Sequence, residues 1–171
     1  MRKSGLAIVL AGMAFSAAAQ IPEKVDPGAI PNYRVLMPGL ATAGQPTPEA
    51  LRSLKEKGFK TVINLRAEVE PGVREEEAAV KEQGLNYLWV PITAATLTQE
   101  KVDEVRRALE APGSGPILLH CASANRAGAV WTVIEAQRGK SYEEALAAGK
   151  AIGLTSPPMI EAVQKLLAVS K

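Results

Sequence analysis

Cysteine and histidine are almost missing from this chain: its 171 residues include one of each, and the two are adjacent, His120 and Cys121. A single cysteine excludes an internal disulfide. Apolar runs are short as well, and no segment approaches the roughly 20 consecutive apolar residues that a membrane-spanning helix needs. Nor is there a charge excess. Taking Arg2 and Lys3 from the 20 basic residues leaves 18 against 18 acidic ones, so the net charge of +2 falls to zero without the N-terminus. A balanced surface has no general electrostatic attraction for nucleic acid or anionic membrane, and neither is expected as a partner.

The N-terminus is set aside because Arg2 and Lys3 precede a charge-free apolar stretch from Leu6 to Phe15, followed by Ser16-Ala17-Ala18-Ala19-Gln20. A basic start, a short apolar run and an Ala-x-Ala site are the pattern of a secretory signal peptide. Cleavage is expected after Ala19, giving an exported protein, periplasmic or secreted. No cysteine follows that site, which argues against a lipoprotein anchor. A lone thiol in an oxidising compartment is then either buried and inert or put to use.

Residues 20–32 carry Pro22, Pro27, Gly28 and Pro31 with few large apolar groups and read as a tether or edge segment, leaving 33–171 as one domain. Tyr33–Met37 and Leu40–Ala43 read as short strands. Thr47-Pro48-Glu49 starts a helix, with Thr47 as cap, Pro48 at the first helical position and Glu49 in the positive first turn. Lys60–Leu65 is short and β-branched, a buried strand. A helix over 73–83 follows, on which Glu75-Glu76-Glu77 reads as a solvated face. Leu85–Ile92 is the next strand. Val102, Val105 and Leu109 recur at helical spacing, and Ile117–His120 is an apolar strand. Ala127, Val130, Trp131 and Ile134 mark a further helix. Ser141 and Glu144 form a capping box, and a last helix begins at Ser156-Pro157-Pro158. Strands alternating with helices imply right-handed βαβ units, hence an α/β fold with a mostly parallel sheet, helices on both faces and a helical C-terminal end.

The chemistry gathers in the loop between the Ile117–His120 strand and the helix that starts near Arg126. In open α/β sheets ligands bind beyond the carboxyl ends of the strands, where Cys121 sits. The small residues Ala122, Ser123, Ala124 and Asn125 let successive backbone N–H groups face a common centre, and the next helix adds its positive end. Such a cradle holds an oxyanion, and in its absence stabilises a thiolate. Arg126 supplies a fork that matches two oxygens of a tetrahedral anion. Thiolate, amide cradle and arginine together suit cysteine-dependent phosphoryl or sulfur transfer. Neighbouring strand residues alternate faces, so the His120 side chain is expected to point away from the loop and support it from behind.

His-Cys, a small-residue loop and an arginine resemble the signature of cysteine-based tyrosine and dual-specificity phosphatases. The sequence is more similar to the bacterial beta-lactamase hydrolase-like family's phosphatase-like domain. Its features there are a Gly-Gln-Pro-Thr turn, here Gly44 to Thr47; a Val-Ile-Asn-Leu-Arg strand, here Val62 to Arg66; and a His-Cys-Ala-Ser-Gly-Asn-Arg loop, here His120 to Arg126 with Ala124 in place of glycine. The likeness runs from about Tyr33 to Leu167. It implies a three-layer phosphatase-like fold and a phosphoric monoester hydrolase in which Cys121 and Arg126 are catalytic and Ala122–Asn125 bind the oxyanion. Arg66 and Gln45 are further anion-binding candidates, with structural hydrogen bonding as the alternative for each. No metal or cofactor is implied, and the substrate would be a small anionic or phosphorylated molecule.

Several positions depart from the tyrosine phosphatase pattern. Four residues separate Cys121 from Arg126 instead of five, and in the related rhodanese architecture shorter loops go with sulfur chemistry. Ala127 stands where a Ser or Thr usually bonds the leaving thiolate, a role Ser123 would take in part. The chain has only Asp26 and Asp103 as aspartates, and the stretch Pro91–Thr96, where a general acid is expected, has no carboxylate. Glu68 and Glu70 lie near the strand end that precedes them and read as loop charges that could reach the site. Two further functions therefore stand beside the phosphatase: a sulfurtransferase carrying a persulfide on Cys121, and a non-catalytic oxyanion-binding module.

Overall fold

The structure, a computed structural model, describes residues 21–169; the expected signal segment lies outside them. Five strands form one sheet: β1 (Arg34–Met37), β2 (Leu40–Ala43), β3 (Thr61–Asn64), β4 (Asn86–Trp89) and β5 (Ile117–His120). Their spatial order is β1-β2-β5-β3-β4. β1 is an antiparallel edge strand, and β2, β5, β3 and β4 run parallel, with Ala43, His120, Asn64 and Trp89 level at their carboxyl ends. The fold is thus the mostly parallel α/β fold expected, with the loop after β5 leaving the middle of the sheet.

Among the described residues, six helices cover the two faces: α1 (Pro48–Arg52), α2 (Val73–Glu82), α3 (Gln99–Glu110), α4 (Asn125–Gln137), α5 (Tyr142–Ala151) and α6 (Pro157–Val169). Alternation along β5 sorts the core into two halves. Ile117, Leu119 and Cys121 pack with Val102 and Val105 of α3 and with Val130, Trp131 and Ile134 of α4. Leu118 faces the other way, toward Leu51, Leu54 and Val80 beside α1 and α2. Local sequence sets the helix starts. Thr47 Oγ1 accepts from Ala50 N–H at 3.2 Å, and the Ser141/Glu144 capping box closes at both ends.

Two expectations are corrected. Of the two readings of the segment before Tyr33, tether or edge, the tether is dropped for 21–32: Ile30 is fully buried, Ile21 belongs to the same buried cluster, and Tyr33 Oη donates to Pro22 O at 2.7 Å. And the acidic triplet on α2 is not all solvated, because Glu76 is buried together with Val73 and Val80 on the inward face.

α4 is the central helix, buried continuously from Ala127 to Glu135. It meets α5 backbone to backbone. A Cβ on Gly128 would come within 2.7 Å of Gly149 O, and one on Gly149 within 2.6 Å of Gly128 O. Only glycine permits that approach.

Candidate active site

β5 delivers Cys121 to the floor of the loop. Its amide donates to Ala43 O at 3.3 Å, continuing the β2–β5 pairing, and the residue is fully buried while Ala122 and Ser123 above it are exposed. The Gly44-Gln45 turn braces the loop from the β2 side, with Gln45 N–H donating to Ala122 O at 3.0 Å. A side chain at Gly44 would press within 3.0 Å of that same carbonyl, which explains the glycine of the Gly-Gln-Pro-Thr turn. Asn32 Nδ2 adds a weaker bond to Ser123 O at 3.4 Å.

Ala124 caps α4 in the left-handed region at φ 68°, the conformation its family glycine would adopt freely. It offers no side-chain cap. The amides of Asn125, Arg126 and Ala127 have no intrahelical acceptor, since the first helical bond is Gly128 N–H to Ala124 O at 2.9 Å. These free donors and the helix dipole make the start of α4 a place where an anion would be held.

Asn125 reaches elsewhere with its side chain. Its Oδ1 accepts from the amides of Thr155 and Ser156, both at 2.7 Å, and its Nδ2 donates to Ser123 Oγ at 3.2 Å. Asn125 thus ties the loop to the start of α6.

Arg126 is fixed by a carboxylate that lies 56 residues earlier. Glu70 takes its fork bidentately, Nη2 to Oε2 at 2.9 Å and Nη1 to Oε1, while Nη1 also donates to Leu65 O at 3.3 Å and Ile92 O at 3.4 Å. Nε makes none of these bonds. Hydrogen bonding to Arg126 holds the Glu70 carboxyl down to about 2, against the opposing effect of burial. Burial alone would lower Arg126, but its bond to Glu70 and the charge of Cys121 outweigh it and hold the guanidinium above its ordinary value. Of the two loop glutamates that could reach the site, Glu70 does so, through Arg126, and Glu68 pairs instead with Arg74.

Behind the loop, on the α1–α2 face, lies a buried polar network. His120 points there, its Nε2 donating to Glu76 Oε1 at 2.7 Å, with Nδ1 enclosed and bonded to no protein group. Gln45 Nε2 donates to Glu76 Oε2 at 2.8 Å, and Arg66 Nη1 stands 3.6 Å from the same oxygen. The remaining Arg66 donors go to Glu70 Oε2 at 3.5 Å and Pro71 O at 2.5 Å. Burial opposes the Glu76 charge, yet His120, Gln45 and Arg66 together hold its pKa below the usual range. So of the two roles open to Gln45 and Arg66, anion contact or structural hydrogen bonding, their side chains take the second, engaged with glutamates behind the loop. The signal for Glu76 was available: with Val73 and Val80 it forms an i, i+3, i+7 stripe, which places one acid of the triplet inward.

At the mouth, Ile92, Thr93 and Ala94 face Ser156 and Met159 of the α6 start, enclosing with the loop a depression of about 330 Å³. Neither aspartate is free here: Asp26 accepts from Gly28 N–H at 2.9 Å, and Asp103 pairs with Arg106 at 3.2 Å.

The model of the beta-lactamase hydrolase-like protein, phosphatase-like domain, matches residues 32–138. The beta-lactamase hydrolase-like protein of Xylella fastidiosa is 33% identical over 119 residues, 67% of this chain and 27% of that protein. The one from Agrobacterium fabrum is 31% identical over 105 residues, 59% and 24% of the two chains. The chain spans about a quarter of the length of these curated relatives. Among solved structures, Pseudomonas aeruginosa TpbA superposes with a TM-score of 0.65 at 21% identity, covering 91% of this chain and 92% of that one. TpbA has also been solved in complex with pTyr. The core catalytic domain of the Saccharomyces cerevisiae PP-IP phosphatase SIW14, in complex with citrate, gives 0.64 at 16% identity over 79% and 85%. At these identities the structural likeness speaks for the fold.

Proposed function

Because the chain belongs to the beta-lactamase hydrolase-like family's phosphatase-like domain, we propose that it is an exported, cysteine-dependent phosphoric monoester hydrolase with Cys121 as nucleophile. The observation that carries this reading is the pairing of a nucleophile at the floor of the β5–α4 loop with a guanidinium already clamped by Glu70. The Cys121 thiolate attacks phosphorus, the S–P bond forms as the ester P–O bond breaks, and the leaving oxygen takes a proton from solvent. Arg126 and the amides from Ala122 to Arg126 hold the non-bridging oxygens, whose charge they meet without reorganisation. Water then attacks phosphorus, releasing inorganic phosphate and restoring the thiolate. With no carboxylate in Pro91–Thr96, the reaction favours leaving groups that depart without a proton, such as aryl oxides.

The four-residue Cys121–Arg126 spacing favours one second reading, a sulfurtransferase. In it the thiolate takes the outer sulfur of thiosulfate, releasing sulfite, and the Cys121 persulfide passes that sulfur to cyanide. Mature protein and Cys121→Ser are compared with an aryl phosphate, with thiosulfate plus cyanide, and for binding of inorganic phosphate. Phosphate release abolished in the variant is the expected result. Thiocyanate formation replaces the phosphatase with the sulfurtransferase, and anion binding without turnover in either assay leaves a binding module. Identical behaviour of wild type and variant in all three overturns the site.

A further inference from the structure

One buried carboxylate touches every arm of this site. Glu76 is 1% exposed, and each of its oxygens is engaged. Oε1 holds His120, the residue immediately before Cys121 in the chain, at 2.7 Å. Oε2 holds Gln45 at 2.8 Å, and the backbone amide of Gln45 in turn holds Ala122 O, immediately after Cys121, at 3.0 Å. Through Arg66, 3.6 Å from Oε2 and 3.5 Å from Glu70 Oε2, Glu76 also reaches the carboxylate that clamps Arg126. Both flanks of the nucleophile and the far side of the cradle arginine therefore converge on one side chain of α2.

A charge this deep is costly unless it is fully paired, and its retention needs a return. An apolar residue at position 76 would pack between Val73 and Val80 but would leave His120 Nε2 and Arg66 Nη1 as buried donors without acceptors, and Gln45 Nε2 with only its longer bond to Pro46 O at 3.2 Å. We infer that Glu76 is the positioning residue of the site, setting the Cys121 backbone from both sides and Arg126 through Arg66 and Glu70. It touches neither the anion nor the thiol, so its effect is on geometry. The inference rests on the anion-site reading above, and anion binding tests it apart from turnover.

The experiment compares wild type, Glu76→Gln, and the exchange Gln45→Glu/Glu76→Gln. Aryl phosphate turnover and the Kd for tungstate from calorimetry are measured at a temperature where circular dichroism shows each protein folded. Glu76→Gln keeps the shape and an acceptor for His120 but sets two amide NH2 groups against each other or forces Gln45 to rotate. Turnover is expected to fall, and the tungstate Kd to rise, by about tenfold, the scale of one charge-assisted hydrogen bond lost. The exchange lets the new amide donate to the new carboxylate at position 45 and is expected to recover most of that loss. If Glu76→Gln does not fold, Gln45→Ala cuts the arm to Ala122 alone, and a rise of severalfold in the tungstate Kd is expected. A lower melting temperature with unchanged turnover and tungstate Kd makes Glu76 merely structural and overturns the inference. So does an exchange variant no better than Glu76→Gln. Wild type that binds tungstate but turns over nothing removes the phosphatase reading and leaves the binding comparison to decide the inference. Wild type that binds no tungstate sinks both.

Discussion

Two glutamates two positions apart in the chain, Glu68 and Glu70, separate an ion pair that matters from one that does not. Glu68 pairs with Arg74 in the open, where screening and side-chain entropy leave such contacts worth about 0–1 kcal/mol. Glu70 pairs bidentately with a guanidinium that is only 13% exposed and that also serves two backbone carbonyls. Losing the carboxylate frees the fork to rotate away from the loop. Glu70→Gln is therefore expected to lower kcat/KM for an aryl phosphate by about 10- to 100-fold, while Glu68→Gln stays within about twofold of wild type. Equal effects from the two substitutions would mean that Arg126 needs no clamp. Neither difference is legible in the string Glu68-Val69-Glu70, because the partner of Glu70 lies 56 residues away.

The elements were readable where their signals are local. The Thr47 and Ser141 caps, the β-branched Thr61–Ile63 run and the Val102/Val105 spacing each depend on neighbours within a few residues, and each marks an element of the fold. The Val73, Glu76, Val80 stripe marks Glu76 as inward, but the partners that make its charge tolerable there, His120 and Gln45, lie 44 and 31 residues distant and leave no mark on α2. Contact between elements is equally non-local. Nothing near Gly149 announces that its α-carbon touches α4, yet a methyl there would stand 1.9 Å from Thr132 Oγ1 and 2.6 Å from Gly128 O. Those atoms are backbone or tied to it, Thr132 Oγ1 donating to Gly128 O at 2.8 Å. Gly149→Ala is thus expected to destabilise the protein by about 1–3 kcal/mol, read as a lower urea midpoint, and to disturb the α4 start that carries Arg126. An unchanged midpoint would show that α5 can shift outward at no cost.

Across the whole molecule, the sheet separates two kinds of interior. The α3–α6 face is mainly apolar, with Thr132 and Glu135 of α4 as buried polar groups, and the α1–α2 face carries, beside its apolar cluster, the ionic network of Glu76, Arg66 and His120 that backs the site. That division makes stability depend on acid. Glu70 and Glu76 are both held below the unfolded carboxylate value of 4.5, Glu70 down to about 2, and Glu135 is lowered by Lys140 and Arg138 against the effect of burial. Depressed carboxyls bind fewer protons in the folded chain than in the unfolded one. Their contribution is present above the unfolded carboxylate value and is lost as pH falls through each folded value, which for Glu70 is about 2. Urea midpoints measured from pH 6 to pH 3 are expected to fall steadily below about pH 5. In Glu70→Gln the fall is shallower, because one of the groups taking up protons has been removed. The gap between wild type and variant should then be widest at pH 6 and close as the pH drops. A gap that stays constant over that range would mean that the Glu70 carboxylate gains nothing from Arg126 in the folded state, and the clamp would have to be abandoned.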